Sequence, residues 1–392
     1  MAGMSVLYKM STHHIIRLLC LLTILSAGTC RAEDYHVPFT FVEYNCENLF
    51  DCVHDSLKND HEFMPDAERH WTFSRYWKKL NNIGRVIQQC GENMREPADK
   101  LRTSNAYAYH LPDLVALCEV ENDSTMLMLT HASMLKGAGY RYVMTNSPDH
   151  RGIDVALLYN PLTFRLTEHH SIRISPPEKG MMPTRDLLYA KGAARSGDTL
   201  HIIAVHAPSR SGGQVASEPY RLTVAQRIIQ TVDSIRSEAP QACIIIAGDF
   251  NDYSRDKSLR LIGNDSLYEV SESAVGFNHS ITDVTGTYKY GGEWNSLDHI
   301  FLSRQLNDRV KNCYILDNEW MLEKDSQGGY KPFRTFRGPL YNKGVSDHLP
   351  LVLHLELRQK PFYLLSFQNI PTSSLATAFG SVTSTLSMRF RQ

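Results

Sequence analysis

From residue 39 onward the sequence predicts an α/β fold, with sheets inside and helices outside, on three observations. Short apolar runs of strand length recur along the chain. Longer stretches with helical periodicity lie between several of them. The composition, 42% hydrophobic and 21% charged over 392 residues, is that of a globular chain with enough apolar side chains for one big domain or two medium ones.

Strand patterns fall at Val42–Tyr44, Leu114–Leu117, Val155–Tyr159, His201–Val205, Ile244–Ala247, His299–Leu302 and Leu349–Leu355. Tyr76–Cys90 places Trp77, Leu80, Ile83, Val86, Ile87 and Cys90 on one face of a helix, and Ser124–Leu135 and Glu218–Ile235 read as further helices. The segments Glu178–Thr184 and Asp317–Lys343 are rich in Gly, Pro and charge, and are candidates for substrate-facing loops, although solvated connectors are the commoner fate of such text. There is no internal repeat and no low-complexity block.

The first 32 residues carry Lys9, His13, His14 and Arg17, then the apolar run Leu18–Leu25, then small residues ending in Cys30-Arg31-Ala32. That order is the pattern of a secretory signal peptide, and the apolar run is short for a membrane span. The expected division is a signal peptide over 1–32, a catalytic domain over 33–358 and a tail over 359–392, the tail being an added strand pair, an attachment element or disordered. The chain is therefore expected to be exported: periplasmic, surface-attached or secreted.

Cleavage removes Lys9, Arg17 and Arg31 and no acid, which leaves 38 basic against 42 acidic side chains, a net charge of −4. Such a chain lacks the broad basic surface that drives non-specific nucleic-acid binding, though not a local basic patch. Six cysteines remain, an even count that permits disulfides in an exported protein. Cys118 and Cys243 sit in apolar runs, where a thiol usually acts as a small hydrophobe, and no spacing is that of a zinc site.

The chemistry-bearing residues stand at the ends of predicted strands, a placement that gathers distant side chains at one rim. Asn45 ends the first strand and Glu47 follows in the turn; Glu119 lies just past the second. Gly248-Asp249-Phe250-Asn251 closes a later strand, with a carboxylate and an amide projecting to the same side of an extended segment. Ser346-Asp347-His348 adjoins a hard oxygen ligand and an imidazole. Oxygen-rich sets of this kind suit magnesium, manganese or calcium. A single Glu at a strand end is more often a solvated cap; only the combination is specific. His13, His14, His169, His170 and His201 read as targeting, surface or packing histidines. Among Trp71, Trp77, Trp294 and Trp320 there is room for one stacking ring, with burial expected for Trp77.

Gly-Asp-Phe-Asn at 248–251, then Ser-Leu-Asp-His at 296–299 and Ser-Asp-His at 346–348, resembles the endonuclease/exonuclease/phosphatase superfamily over roughly residues 38–357. The resemblance implies a four-layer sandwich, two mixed β-sheets packed face to face with helices on both outer faces. It also implies a metal shell of Asn45, Glu47, Glu119 and Asp347, with Mg2+ as cofactor and Mn2+ or Ca2+ as alternatives. Asp249 and Asn251 match the pair that holds the attacking water and the scissile phosphate, and His348 matches the site histidine oriented by Asp298. His206 resembles a second histidine with Asp154 as its carboxylate partner, and Arg185 a phosphate-contacting arginine. The function this implies is phosphodiester hydrolysis in one step by a bound water, most simply an endonuclease on DNA. The alternatives are a phospholipid, phosphoinositide or small-phosphoester hydrolase, and a binding protein that kept the fold without the chemistry. A monomer without an obligate protein partner is expected.

Overall fold

A computed structural model describes residues 36–92, 111–176, 178, 182–210, 212–264 and 266–360. The expected signal peptide, most of the 359–392 tail and part of the 178–184 loop lie outside the described residues. Strands are numbered in chain order. They are β1 (His36–Leu49), β2 (Leu114–Val120), β3 (Arg141–Met144), β4 (Asp154–Tyr159), β5 (Phe164–Ile172), β6 (Leu187–Ala194), β7 (Thr199–His206), β8 (Cys243–Asp249), β9 (Leu267–Glu269), β10 (Tyr288–Tyr290), β11 (Glu293–Asn295), β12 (Asp298–Ser303), β13 (Val310–Ile315), β14 (Leu322–Lys324), β15 (Tyr330–Pro332), β16 (Phe336–Arg337), β17 (Leu340–Tyr341) and β18 (Leu351–Arg358).

Two six-stranded sheets result, one in the order β13-β18-β1-β2-β4-β3 and the other β5-β6-β7-β8-β12-β9. Each is mixed: β1 runs parallel to β2 and antiparallel to β18, and β7 runs parallel to β8 while β8 and β12 are antiparallel. The sheets face each other through β1, β2 and β4 against β7, β8 and β12. Strand alternation sets the layers. Ile202, Ala204, Ile245 and Ala247 point into the core between the sheets, whereas Ile203, Val205, Ile244 and Ile246 point outward. The outward set is covered by Val224, Ile228 and Val232 of α3 (Gln214–Glu238). On the far side, α1 (Phe73–Glu92) and α2 (Asp123–His131) pack on the first sheet, contributing Leu80, Ile83, Ile87, Met126 and Leu129 to its core. The four-layer sandwich is thus present, helix to sheet to sheet to helix.

All seven predicted strands and all three predicted helices form. α2 stops at His131, short of the expected Leu135, and its start is capped by the Asn122 side chain, which accepts from the Thr125 N–H at 2.8 Å. β5 was not legible as a strand because Arg165 to Ser171 are largely exposed; it forms by pairing along β6 at the sheet edge. The Asp317–Lys343 segment is not one open loop, since it folds into the hairpins β14–β15 and β16–β17. Trp77 is only partly buried, while Trp71 is fully enclosed and donates its indole N–H to Phe50 O at 2.9 Å. All six cysteines of the described residues are free thiols, and Cys118 and Cys243 are buried. No helix of the described residues is long and apolar enough to cross a membrane.

Candidate active site

The strand register alone brings the distant motifs to one rim. His206 and Asp249 end the parallel pair β7 and β8 opposite each other, and Asp249 pairs in turn with Asp298 at the start of β12. Asn45 pairs with Cys118, one residue before Glu119, where β1 and β2 both lose regular register. Four non-glycine residues there adopt left-handed backbone, Glu47 (φ 49°), Asn48 (φ 53°), Glu119 (φ 60°) and Asn251 (φ 53°). Such conformations are uncommon outside glycine and concentrate where side chains must be re-aimed at a functional site. Gly248 has φ 155°, and a Cβ there would sit 1.8 Å from Val205 O. The close approach of β7 and β8 beside Asp249 requires glycine.

On one side of the rim, the Asp249 carboxylate accepts from Asn45 Nδ2 at 3.0 Å and from the Asn251 N–H at 2.8 Å. Burial pushes this carboxyl up to about 7, with His348 opposing the shift and Asp298 adding to it. His348 Nδ1 is 2.7 Å from Asp298 Oδ2, and both side chains are buried. Burial by itself would lower the imidazole pKa; the charge and hydrogen bond of Asp298, with Asp249 and Asp347 beyond it, raise it well above the usual histidine value. His348 is therefore held as the imidazolium, fixed in place by a carboxylate.

On the other side lie Glu47, Glu119 and Asp347. Glu119 Oε2 accepts the Asn48 N–H at 2.7 Å, and Oε1 lies 3.7 Å from His206 Nε2. Glu47 is buried, and its carboxylate accepts the N–H groups of Thr335 (2.5 Å) and Phe336 (3.2 Å). Burial, then the charge of Asp347, push it up to about 7. Asp347 carries an ion pair with Arg334 at 2.7 Å. Asn45 Oδ1 accepts the Glu47 N–H at 2.8 Å, so this amide ties the two sides together.

One expectation is corrected, and Arg185 has partners that the sequence did not show. Asp154 does not back His206: its Oδ1 accepts from Thr145 Oγ1 at 2.5 Å and from Ser147, which closes the turn before β4, and His206 Nδ1 has no hydrogen-bond partner. Arg185 instead meets His206, Nη2 to Nε2 at 2.9 Å, while pairing with Asp149 at 3.2 Å. A guanidinium can only donate, so Nε2 accepts and the proton sits on Nδ1. Burial, then the charges of Arg185 and Arg151, hold the His206 pKa well below the usual value. His206 is the neutral histidine and His348 the charged one. Arg185 is itself buried and engaged with His206, Asp149 and Ala207 O, so it acts first as a support beneath His206.

Sequence reasoning missed Lys79, Arg334, Asp149 and Tyr288. Lys79 is fully buried, donates to Thr335 Oγ1 (2.5 Å) and Val345 O (3.0 Å), and feels the charges of Glu47, Asp347 and Glu119. Its signal was available: Tyr76, Lys79, Leu80 and Ile83 share one helical face, and a lysine on an apolar stripe is out of place unless it has acids to meet. Tyr288 packs against His348, ring centroids 5.1 Å apart, from a segment that no periodicity marked.

The donor set fits a hard divalent ion. The charges of three acids act on the buried cation Lys79, and Glu119 Oε1 faces the rim with its other oxygen already anchored. Asp249, Asp298 and His348 form a second group, with ligand atoms within 4.8 Å of one another.

A two-sheet sandwich with a carboxylate-backed imidazolium beside an acid-rich, metal-competent rim defines a phosphoesterase hydrolase. The chain belongs to the Endonuclease/Exonuclease/phosphatase family, whose sequence pattern residues 40–357 match. Enzymes of this family are phosphoesterases that depend on a divalent metal. Its fold is similar to that of an endonuclease/exonuclease/phosphatase family protein from Bacteroides thetaiotaomicron, at 17% identity and TM-score 0.51 over 82% of this chain and 99% of that one. The mannosyl-6-phosphatase of the same species is similar at 17% identity and TM-score 0.50, covering 80% and 98%. A truncated TDP2 from Caenorhabditis elegans aligns at 15% identity and TM-score 0.49, covering 81% and 97%. No curated protein matches the sequence.

Proposed function

We propose that the chain is an exported, magnesium-dependent phosphodiesterase that cleaves DNA internally by one-step attack of water. The observation that carries the hydrolytic reading is the pairing of the buried Asp298–His348 dyad with Asp249, whose carboxyl is pushed up to about 7. Asp249 holds the attacking water and takes its proton, and Asn251 orients the scissile phosphate. His348, as imidazolium, neutralises charge on the phosphoryl oxygens or protonates the leaving oxygen. Glu119 and Glu47, with Asn45 and Asp347 beside them, are the residues that would hold the ion; when bound, it adds Lewis-acid stabilisation of the phosphoryl group. His206, kept neutral by burial and then by the charge of Arg185, contributes hydrogen bonding rather than charge.

A polyanionic substrate is supported by arginines around this acid-rich rim. Arg151 acts on His206, Arg210 donates to Asn251 O at 2.8 Å, and Arg334 pairs with Asp347. The net charge of 38 − 42 = −4 without the first 32 residues keeps a second reading alive, a phospholipid headgroup or small phosphoester. The full chain without its first 32 residues, in magnesium, is given supercoiled plasmid, RNA, sphingomyelin and sugar phosphates. Plasmid nicking is expected; turnover of a lipid or sugar phosphate without nicking overturns the DNA reading. Export is tested separately, by sequencing the N-terminus of the protein recovered outside the cytoplasm, which is expected to begin at Glu33.

A further inference from the structure

Away from the catalytic rim, the turn after β1 gathers a second group of ligand side chains. His54, Asp60 and His61 bring one potential donor atom each to within 4.8 Å of the others. Asp60 is fully buried, yet both histidines are exposed, so the carboxylate forms the floor and the imidazoles the mouth. His54 Nδ1 touches Asp60 Oδ1, and the two imidazoles stack with centroids 4.2 Å apart. The other carboxylate oxygen, Oδ2, accepts the Asp55 N–H at 2.7 Å, and Asp60 O accepts the Phe63 N–H at 2.8 Å, so the floor is held from behind. Asp51 and Asp55 add negative charge nearby. Among the described residues no lysine or arginine pairs with Asp51, Asp55 or Asp60; Lys58, the nearest in sequence, is spent on Ser147 O and Asp149 O.

We propose that His54, Asp60 and His61 form a metal site for a zinc-class divalent ion, distinct from the catalytic rim, with the fourth position open to water. Two imidazoles and one carboxylate suit zinc and its first-row neighbours, whereas magnesium and calcium take oxygen ligands. Ligand atoms about 2.0–2.1 Å from a tetrahedral ion sit closer together than the apo cluster's outer limit. Both imidazoles are exposed, and side-chain rotation is the movement that would close that gap.

The site's position gives it a consequence. Asn59 donates to His150 O at 2.7 Å, and Lys58 holds Ser147 O and Asp149 O, so the turn is strapped to the segment whose Asp149 pairs with Arg185 beneath His206. An ion here fixes the 51–63 turn, and through it the support of His206.

The difference in ligand preference supplies the test. The full chain, stripped of metal and then kept in excess magnesium to fill the oxygen-rich rim, is titrated with Zn2+ by calorimetry and with Co2+ by visible absorption. One equivalent of zinc and the intense bands of four-coordinate cobalt are expected in the wild type. H61Q and H54A should each weaken this binding at least roughly 100-fold, with circular dichroism unchanged. Hydrogen exchange of 54–63 should slow on zinc addition in the wild type and not in H61Q. Zinc uptake unaltered in both variants, or none in the wild type, would overturn the site. H61Q changes an exposed side chain, so misfolding does not confound it.

Discussion

His348 Nδ1 lies 2.7 Å from Asp298 Oδ2, although fifty residues separate them in sequence. The partnership fixes both the orientation and the protonation of the imidazole. Asp298→Asn keeps the shape but removes the charge that outweighs burial, so kcat on a phosphodiester substrate should fall roughly 10²–10⁴-fold. His348→Ala should fall at least as far, with the thermal transition nearly unchanged. Near-wild-type turnover in either variant would remove the dyad from the chemistry.

The acid-rich rim predicts an absolute metal requirement. Dialysis against EDTA should abolish hydrolysis, and magnesium or manganese should restore it. Activity that persists after stripping would contradict the assignment of Glu47 and Glu119 to an ion.

Lys79 should behave as the internal counter-ion of Glu47, Asp347 and Glu119. Lys79→Met leaves those acids without their buried cation, while Val345 O keeps the Thr335 hydroxyl as a donor at 3.1 Å, and it should cost about 3 kcal/mol in urea denaturation without metal. Added magnesium should recover part of the loss, because it replaces the missing positive charge. A loss independent of magnesium would mean that Lys79 acts through packing alone.

Gly248 tolerates no side chain, since a Cβ would meet the Val205 backbone at 1.8 Å. Gly248→Ala should destabilise by more than about 3 kcal/mol or prevent recovery of folded protein. A well-folded variant with normal stability would show that β7 and β8 can separate.

Burial lowers His354 to about 4. Its unfolded-state pKa is about 6.5, so the unfolded chain takes up the proton first as pH falls. The contribution is fully present above about 6.5 and is lost progressively as pH drops toward the folded value, on the order of 2 kcal/mol by pH 4.5. His354→Gln should flatten the difference between urea midpoints at pH 7.5 and 4.5; an unchanged difference would place that pH sensitivity in other groups.

The sequence by itself determined the layers and where most residues of the candidate site stand, because strand and helix periods are local and the motifs stand at strand ends. Asn45, Glu119, Asp249, Asn251, Asp298 and His348 could be read before any coordinates. Only the tertiary structure decided their partners. Asp154 looked like the carboxylate of His206, yet a turn of nine residues brings Thr145 to it first. Arg185 resembled a phosphate-contacting arginine, and packing also gives it His206 as a partner, a histidine that burial and then the charge of Arg185 keep neutral. Lys79 and Arg334 carry no motif; the role of Lys79 comes from burial beside acids that lie distant in sequence, and that of Arg334 from a half-exposed ion pair with Asp347. Spacing along the chain specifies which side chains arrive at the rim. Their charge states and hydrogen bonds depend on burial and on neighbours from other strands, which exist only once the two sheets have closed on each other.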